Sequence, residues 1–256
     1  MSAGRTTIRR WSGASGVLGR RFNPLTLSPA LLLDSLTPNS LWQDTAGTTP
    51  AGIGDPVRQW SDLSGNGRHF TEPTTNPTLT ANGITFDGVD DGMQWIAGSS
   101  FSVPAQTTIA VARPRTGIAG FARLFTQTLG AVDDTLSFKY IPLVLNGTST
   151  QIGAELQSVG GTLSPVSIIA NTRSVFTSRH TGTAHTTFIN QTSGTPHVHN
   201  LTAVTRDRWA IGKRYNASGG VGAWDITFVA TWLRALSDDE LNLMRSYLYG
   251  RFAVTP

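Results

Sequence analysis

The sequence predicts an all-β domain of two antiparallel sheets packed face to face, with one short C-terminal helix and an extended N-terminal arm. Three observations predict it. Glycine (27) and proline (13) are plentiful while charged residues make up only 14%, the texture of many short strands joined by tight turns. Strand-like segments recur along the chain, several alternating apolar and polar residues, and Gly, Asn, Pro or Ser breaks the chain between most of them. One stretch near the end has helical periodicity behind a capping signature. A chain of 256 residues is long enough to bury a sizeable core as one large sandwich, and no internal repeat divides it.

Residues 1–28 read as a basic arm and 29–256 as the sandwich. Arg5, Arg9, Arg10, Arg20 and Arg21 fall within the first 25 residues, which contain no acid. The whole chain carries +4, so the remainder is close to neutral and the cationic charge sits in the arm. The arm is rich in Gly and Ser, with Trp11 and Phe22 its main bulky residues, and cannot build a core alone. Arginine outnumbers lysine 18 to 2, and its planar fork favours fixed pairing at interfaces. Arg5, Arg9, Arg10, Trp11, Arg20, Arg21 and Phe22 are therefore the candidate contacts of an arm that docks on a partner surface.

Residues 30–75 are turn-rich with short apolar pieces. Strand-like segments follow at 84–87, 92–97, 107–113, 122–128, 135–140, 150–156, 166–170, 173–180, 184–190, 208–213 and 223–233. In 107–113 and 224–230 the alternation has a period of two, which points one face inward and one outward. Two sheets packed on each other bury such faces. The helix is expected at 237–250. Ser237-Asp238-Asp239-Glu240 is a capping box, its acids suit the positive end of the helix dipole, and Leu241, Met244, Leu248 and Phe252 form one apolar stripe.

The same residues bound the chemistry. Cysteine is absent, which removes disulfides and thiolate metal sites. No run of 18 apolar residues predicts a membrane helix. No apolar stretch follows the basic start, so a secretory signal is not expected, and synthesis in a host cytoplasm is. Glycoside hydrolysis needs two carboxyl groups about 5–9.5 Å apart. The glutamates are Glu72, Glu155 and Glu240; none has an acid two positions away on a strand, and Glu240 is spent on the cap. There is no G-x-S-x-G elbow and no phosphate-binding loop. The expectation is a protein that is not an enzyme and requires no cofactor.

Three binding chemistries remain. Asp87, Asp90 and Asp91 offer hard oxygen ligands within one turn, a candidate calcium site. His197 and His199 share a face of a strand, but no spacing completes a metal set around them. Trp42, Trp95, Trp209, Tyr215 and Asn216 are candidates for glycan binding, which uses aromatic faces and polar loops; each tryptophan also has a core role open to it. The arm's arginines suit phosphates, but the folded part offers no matching basic cluster, so nucleic acid is not the expected partner.

Three segments carry a resemblance. Trp60-Ser61-Asp62-Leu63-Ser64-Gly65-Asn66-Gly67-Arg68-His69 resembles the opening motif of bacterial and phage laminin-G-like domains of the concanavalin A-like superfamily. Ile84-Thr85-Phe86-Asp87-Gly88-Val89-Asp90-Asp91 resembles that family's F-D-G-x-D-D turn. The stretch from Ala223 to Phe252, with Trp224, Arg234, Leu236, Ser237 and Glu240, is similar to its closing signature. The resemblance spans roughly 30–252 and implies a concanavalin A-like jelly roll with calcium at its rim. It departs from the family at Leu31-Leu32-Leu33-Asp34-Ser35, where the usual tryptophan is missing.

The segment 41–50, followed by Gly54-Asp55-Pro56-Val57, resembles versions found in phage structural and tail-associated proteins. That implies a bacteriophage virion protein, a capsid decoration or a tail- or fibre-associated component. Such a protein docks on other virion proteins through its arm, assembles as a homo-oligomer and presents a lectin-like sandwich to cell-surface glycans. A free carbohydrate-binding or adhesion module and a jelly-roll glycan hydrolase are the alternatives.

Overall fold

The computed structural model of the protein describes residues 22–72, 74–118, 120–128, 140–156, 159–199, 204–213 and 221–256. A 3-10 turn, Pro24–Leu27, precedes the strands. In chain order these are β1 (Leu31–Asp34), β2 (Leu41–Trp42), β3 (Gln59–Trp60), β4 (Phe70–Thr71), β5 (Thr78–Thr80) and β6 (Gly83–Asp87). Then come β7 (Met93–Val103), β8 (Gln106–Pro114), β9 (Arg123–Thr128), β10 (Tyr140–Leu145), β11 (Gln151–Leu156) and β12 (Val159–Ser167). The last six are β13 (Ser174–His180), β14 (Ala184–Ile189), β15 (Thr192–Ser193), β16 (His197–Val198), β17 (Val204–Ile211) and β18 (Ala223–Trp232), followed by the helix α1 (Asp238–Phe252).

The strands form two antiparallel sheets. One runs β15-β14-β13-β8-β18-β6-β5, with β1 also on β18 and β16 also on β14; the other runs β12-β11-β10-β9-β17-β7-β4-β3-β2. Neighbours in the sheets are far apart in sequence, as in β8 against β18 and β7 against β17, which is the non-local pairing of a jelly roll. The two packed antiparallel sheets and the C-terminal helix are those predicted; residues 1–21 of the arm lie outside the described residues.

The core between the sheets explains the tryptophans. Trp60, Trp209 and Trp224 are fully buried there with Phe70, Phe86, Phe125 and Phe176. A second apolar layer lies on the far side of the first sheet. Ile109, Val111, Phe228, Ala230 and Trp232 meet Leu241, Met244, Leu248 and Phe252 of α1. That layer corrects the one-face reading of 107–113 and 224–230. Both faces of β8 and β18 are buried, one by the opposite sheet and one by the helix, because apolar residues occupy both faces: Ala110, Ala112, Trp224, Ile226 and Val229 inward, and Ile109, Val111, Phe228, Ala230 and Trp232 toward the helix.

The helix begins where the capping box places it. The Ser237 side chain accepts from the Glu240 backbone N–H at 3.2 Å, and the Glu240 carboxylate accepts from the Ser237 N–H at 2.9 Å. It ends on Ala253 in the left-handed region, whose N–H bonds Tyr249 O. Arg245 of the helix is buried, with its guanidinium carbon 4.6 Å from the Phe188 ring.

The opening motif is a clamp. Asp62 Oδ1 accepts from Leu32 N and Ser64 N, and Oδ2 accepts from Ser64 Oγ and Arg68 N. One carboxylate thus holds its own loop in shape and ties it to β1. Arg68 reaches back to the Ala30 carbonyl, and its guanidinium carbon lies 5.3 Å from the Trp95 ring and 5.2 Å from the Trp209 ring. The motif therefore anchors β1 to the sandwich.

Candidate functional site

The aspartate turn is the best-defined cluster. Asp87 ends β6, and its Oδ1 accepts from Val89 N at 2.7 Å and Asp90 N at 3.3 Å. Asp91 Oδ2 accepts from Asp87 N at 2.8 Å, which closes the turn. Gly88 makes this possible: its φ is +84°, and a Cβ there would stand 2.9 Å from Ala223 Cβ. Ligand atoms of Asp87, Asp90 and Asp91 lie within 4.8 Å of one another. Burial pushes the Asp91 carboxyl up to about 6, and the neighbouring charges of Asp87 and Asp90 add to the rise. Three carboxyl oxygens at this separation suit one hard cation. No other set of three such side chains converges among the described residues.

The described glycan candidates, Trp42, Trp95 and Trp209, do not form one exposed surface. Trp209 is fully buried and packs 5.2 Å from Trp95 and 5.9 Å from Phe125; it is a core residue, because it sits on the inward face of β17. Trp95 is half-buried beside it under Arg68. Trp42 is half-buried at the sheet edge, where its Nε1 donates to Ser61 Oγ at 2.8 Å. Tyr215 and Asn216 lie outside the described residues. So do Arg5, Arg9, Arg10, Trp11, Arg20 and Arg21 of the arm. Phe22 packs edge-on against Tyr247 of α1, ring centres 5.7 Å apart, and lines a groove of about 600 Å³ with Leu243, Ser246, Gly250 and Arg251.

Two glutamates are accounted for. Glu72 is buried and ion-paired with Lys213, and Glu240 is held by the cap and by Arg234 at 2.7 Å. These contacts hold the Glu240 carboxyl down to about 2.

Sequence reasoning missed a cleft of about 620 Å³ along the seam where β12 of one sheet meets the β14–β15 hairpin of the other. Its residues come from positions between 151 and 256, with no motif to mark them. The only signal in the sequence is the turn pair Asn190-Gln191 between two strand-like pieces.

No protein-family model matches the sequence, and no curated protein matches it. Solved structures do. Trypanosoma rangeli sialidase, in a complex with 2,3-difluorosialic acid, superposes with a TM-score of 0.60 at 14% identity over 90% of this chain and 34% of the sialidase. The receptor-binding domain of botulinum neurotoxin D follows with a TM-score of 0.52 at 13% identity, over 87% of this chain and 53% of that one. The fold is a lectin-like β-sandwich. The botulinum serotype D ligand-binding domain has also been solved with N-acetylneuraminic acid, and is 13% identical over 86% of this chain and 50% of its own, with a TM-score of 0.51. This chain spans about a third of the sialidase and about half of the toxin domains.

The sialidases correct one expectation. The sequence led to the expectation of a protein that is not an enzyme, with a jelly-roll glycan hydrolase only as an alternative, because no strand carries a paired-carboxylate pattern and no nucleophile elbow is present. Catalytic proteins appear among the similar structures, and catalytic groups are supplied by loops that a one-strand pattern does not test. The fold gives no ground for setting glycan chemistry aside.

Proposed function

We propose that the protein is a glycan-recognising β-sandwich carried on a bacteriophage particle. The observation that carries the glycan part is the superposition of 90% of the chain on a protein solved with a sialic acid derivative, supported by a second likeness to a domain solved with N-acetylneuraminic acid. The virion part rests on the phage-like texture of residues 41–57 and on the cationic arm. The arm leads into Phe22, which lies against α1. In this reading the arm docks on capsid or tail proteins, several copies assemble, and the sandwich faces cell-surface glycans. Weak single sites then act together through multivalency. Calcium at Asp87, Asp90 and Asp91 belongs to the same proposal.

A glycan array probed with the full chain tests the first part; saturable binding is expected, and an empty array overturns it. Deleting residues 1–21 tests the second. The truncated protein is expected to fold and to be missing from assembled particles, and particles that retain it at wild-type level overturn the docking role.

A further inference from the structure

We infer that the seam cleft is the saccharide site and that its ligand is a neutral glycan rather than a sialylated one; this rests on the glycan reading above. The cleft lies between two sheet edges. One wall is the β14–β15 hairpin, where Ile189 pairs with Thr192 across the Asn190-Gln191 turn. The other is the outer edge of the second sheet, where Gln151 pairs with Ser167. Thr172 closes the space between them.

The hairpin wall is held rigidly. Asn190 has φ +52°, which suits a two-residue hairpin turn. Its Oδ1 accepts from Val175 N at 2.9 Å, and its Nδ2 donates to Thr255 O at 3.1 Å. Both ends of the side chain are thus used to fix the turn. The groups beyond it are exposed: Gln191, Thr192 and Ser193 on this wall, Ser167 opposite and Thr172 between. Hydroxyls and amides both donate and accept, as sugar hydroxyls do. Val166, Ile169 and Ile189 supply apolar surface between the polar groups, which suits the C–H face of a pyranose ring. Ile169 is 71% exposed, an apolar side chain left open at the cleft.

The lining sets the ligand class. Among the described residues, no charged side chain lines the cleft. The nearest arginine in sequence, Arg173, donates to the Asn82 carbonyl at 2.9 Å instead. An arginine fork would bind a sialic acid carboxylate bidentately, and no arginine or lysine is among the described residues that line the cleft, so the neutral hydroxyls and amides favour a neutral sugar over an anionic one. A volume of about 620 Å³ falls within the range of small-ligand sites and holds a short oligosaccharide segment.

The test is an array carrying neutral, uronic acid-bearing and sialylated glycans, probed with the full chain and with exposed-site variants. Thr192→Trp fills the cleft, and Gln191→Ala with Thr192→Ala strips one wall. Ile53→Ser, on a distant loop, is the control, and thermal melts confirm that each variant folds. The inference expects neutral glycans among the hits, and at least about tenfold weaker binding for Thr192→Trp with the control unchanged. Neutral hits bound equally by the cleft variants overturn the site while the glycan reading stands. Hits confined to sialylated glycans overturn the ligand class while the reading stands. An array with no hits overturns both.

Discussion

Arg251 in the last turn of α1 donates its Nε to Asp34 Oδ2 at 2.6 Å, joining the end of the chain to the first strand across 217 residues of sequence. Asp34 is nearly buried, and its other oxygen accepts from Leu36 N at 2.9 Å. The pair fixes the helix over the sheet face that carries Phe228 and Trp232. Arg251→Ala leaves that carboxylate without its charged partner. It is expected to lower stability by about 1–3 kcal/mol, read as a fall in the urea midpoint at constant m-value. An unchanged midpoint sinks this account of the helix's attachment.

Gly88 offers a sharper test of the aspartate turn. Its φ of +84° and the 2.9 Å approach to Ala223 leave no room for a side chain, so Gly88→Ala is strained twice. A loss of about 1–3 kcal/mol is expected, measured by thermal unfolding. Gly65→Ala serves as comparison: its φ is +86° but a Cβ there meets nothing within 4 Å, so the smaller cost of backbone conformation alone is expected. Equal losses at the two positions mean that contact with β18 plays no part.

The sequence was readable where a local rule acts alone. Ser237 and Glu240 marked the helix start because a capping box needs only three residues of context. Asp87 and Gly88 marked a turn for the same reason. The two-residue strands β2, β3 and β4 carry no period to detect, and tertiary pairing alone makes them strands. Trp209 was ambiguous because an indole on a strand suits either a core or a sugar platform, and only its register opposite Trp95 and Gln127 places it inside. The seam cleft was illegible for a further reason. Its walls, Ser167 and Thr192, meet only when two sheet edges close on each other, and neutral side chains leave no motif.

Calcium can be separated from turn structure at Asp90. Asp87 and Asp91 bind backbone N–H groups of the turn, so removing either disturbs the fold locally. The Asp90 side chain makes no such bond, while its carboxylate lies within the cluster. If the cluster takes calcium, Asp90→Ala is expected to weaken calcium binding at least tenfold in titration calorimetry. Its melting temperature in chelator should match that of the unaltered protein. The unaltered protein should melt higher with calcium than without. No calcium-dependent rise, or an identical rise in Asp90→Ala, removes the site.

Acid is expected to destabilise the domain through its histidines. His180, His185 and His197 occupy one cross-strand row on β13, β14 and β16, and the His180 and His199 rings stack 4.7 Å apart. Burial lowers His180 to about 4, with His199 and Arg206 adding repulsion, and lowers His185 to about 3. Both are neutral in the folded protein at pH 7. The unfolded chain takes up their protons near the ordinary value of 6.5, whereas the folded chain resists. The unfolded state therefore binds more protons below pH 6.5, and stability falls as the pH drops from 6.5 toward the folded values. The full effect for His180 is up to about 3 kcal/mol, reached only below pH 4. Urea midpoints measured from pH 8 to 4 should be flat above 7 and decline below 6.5. His180→Gln, which cannot charge, should decline less steeply. A variant whose slope matches the unaltered protein would show that the carboxylates, not this histidine row, govern the acid limb.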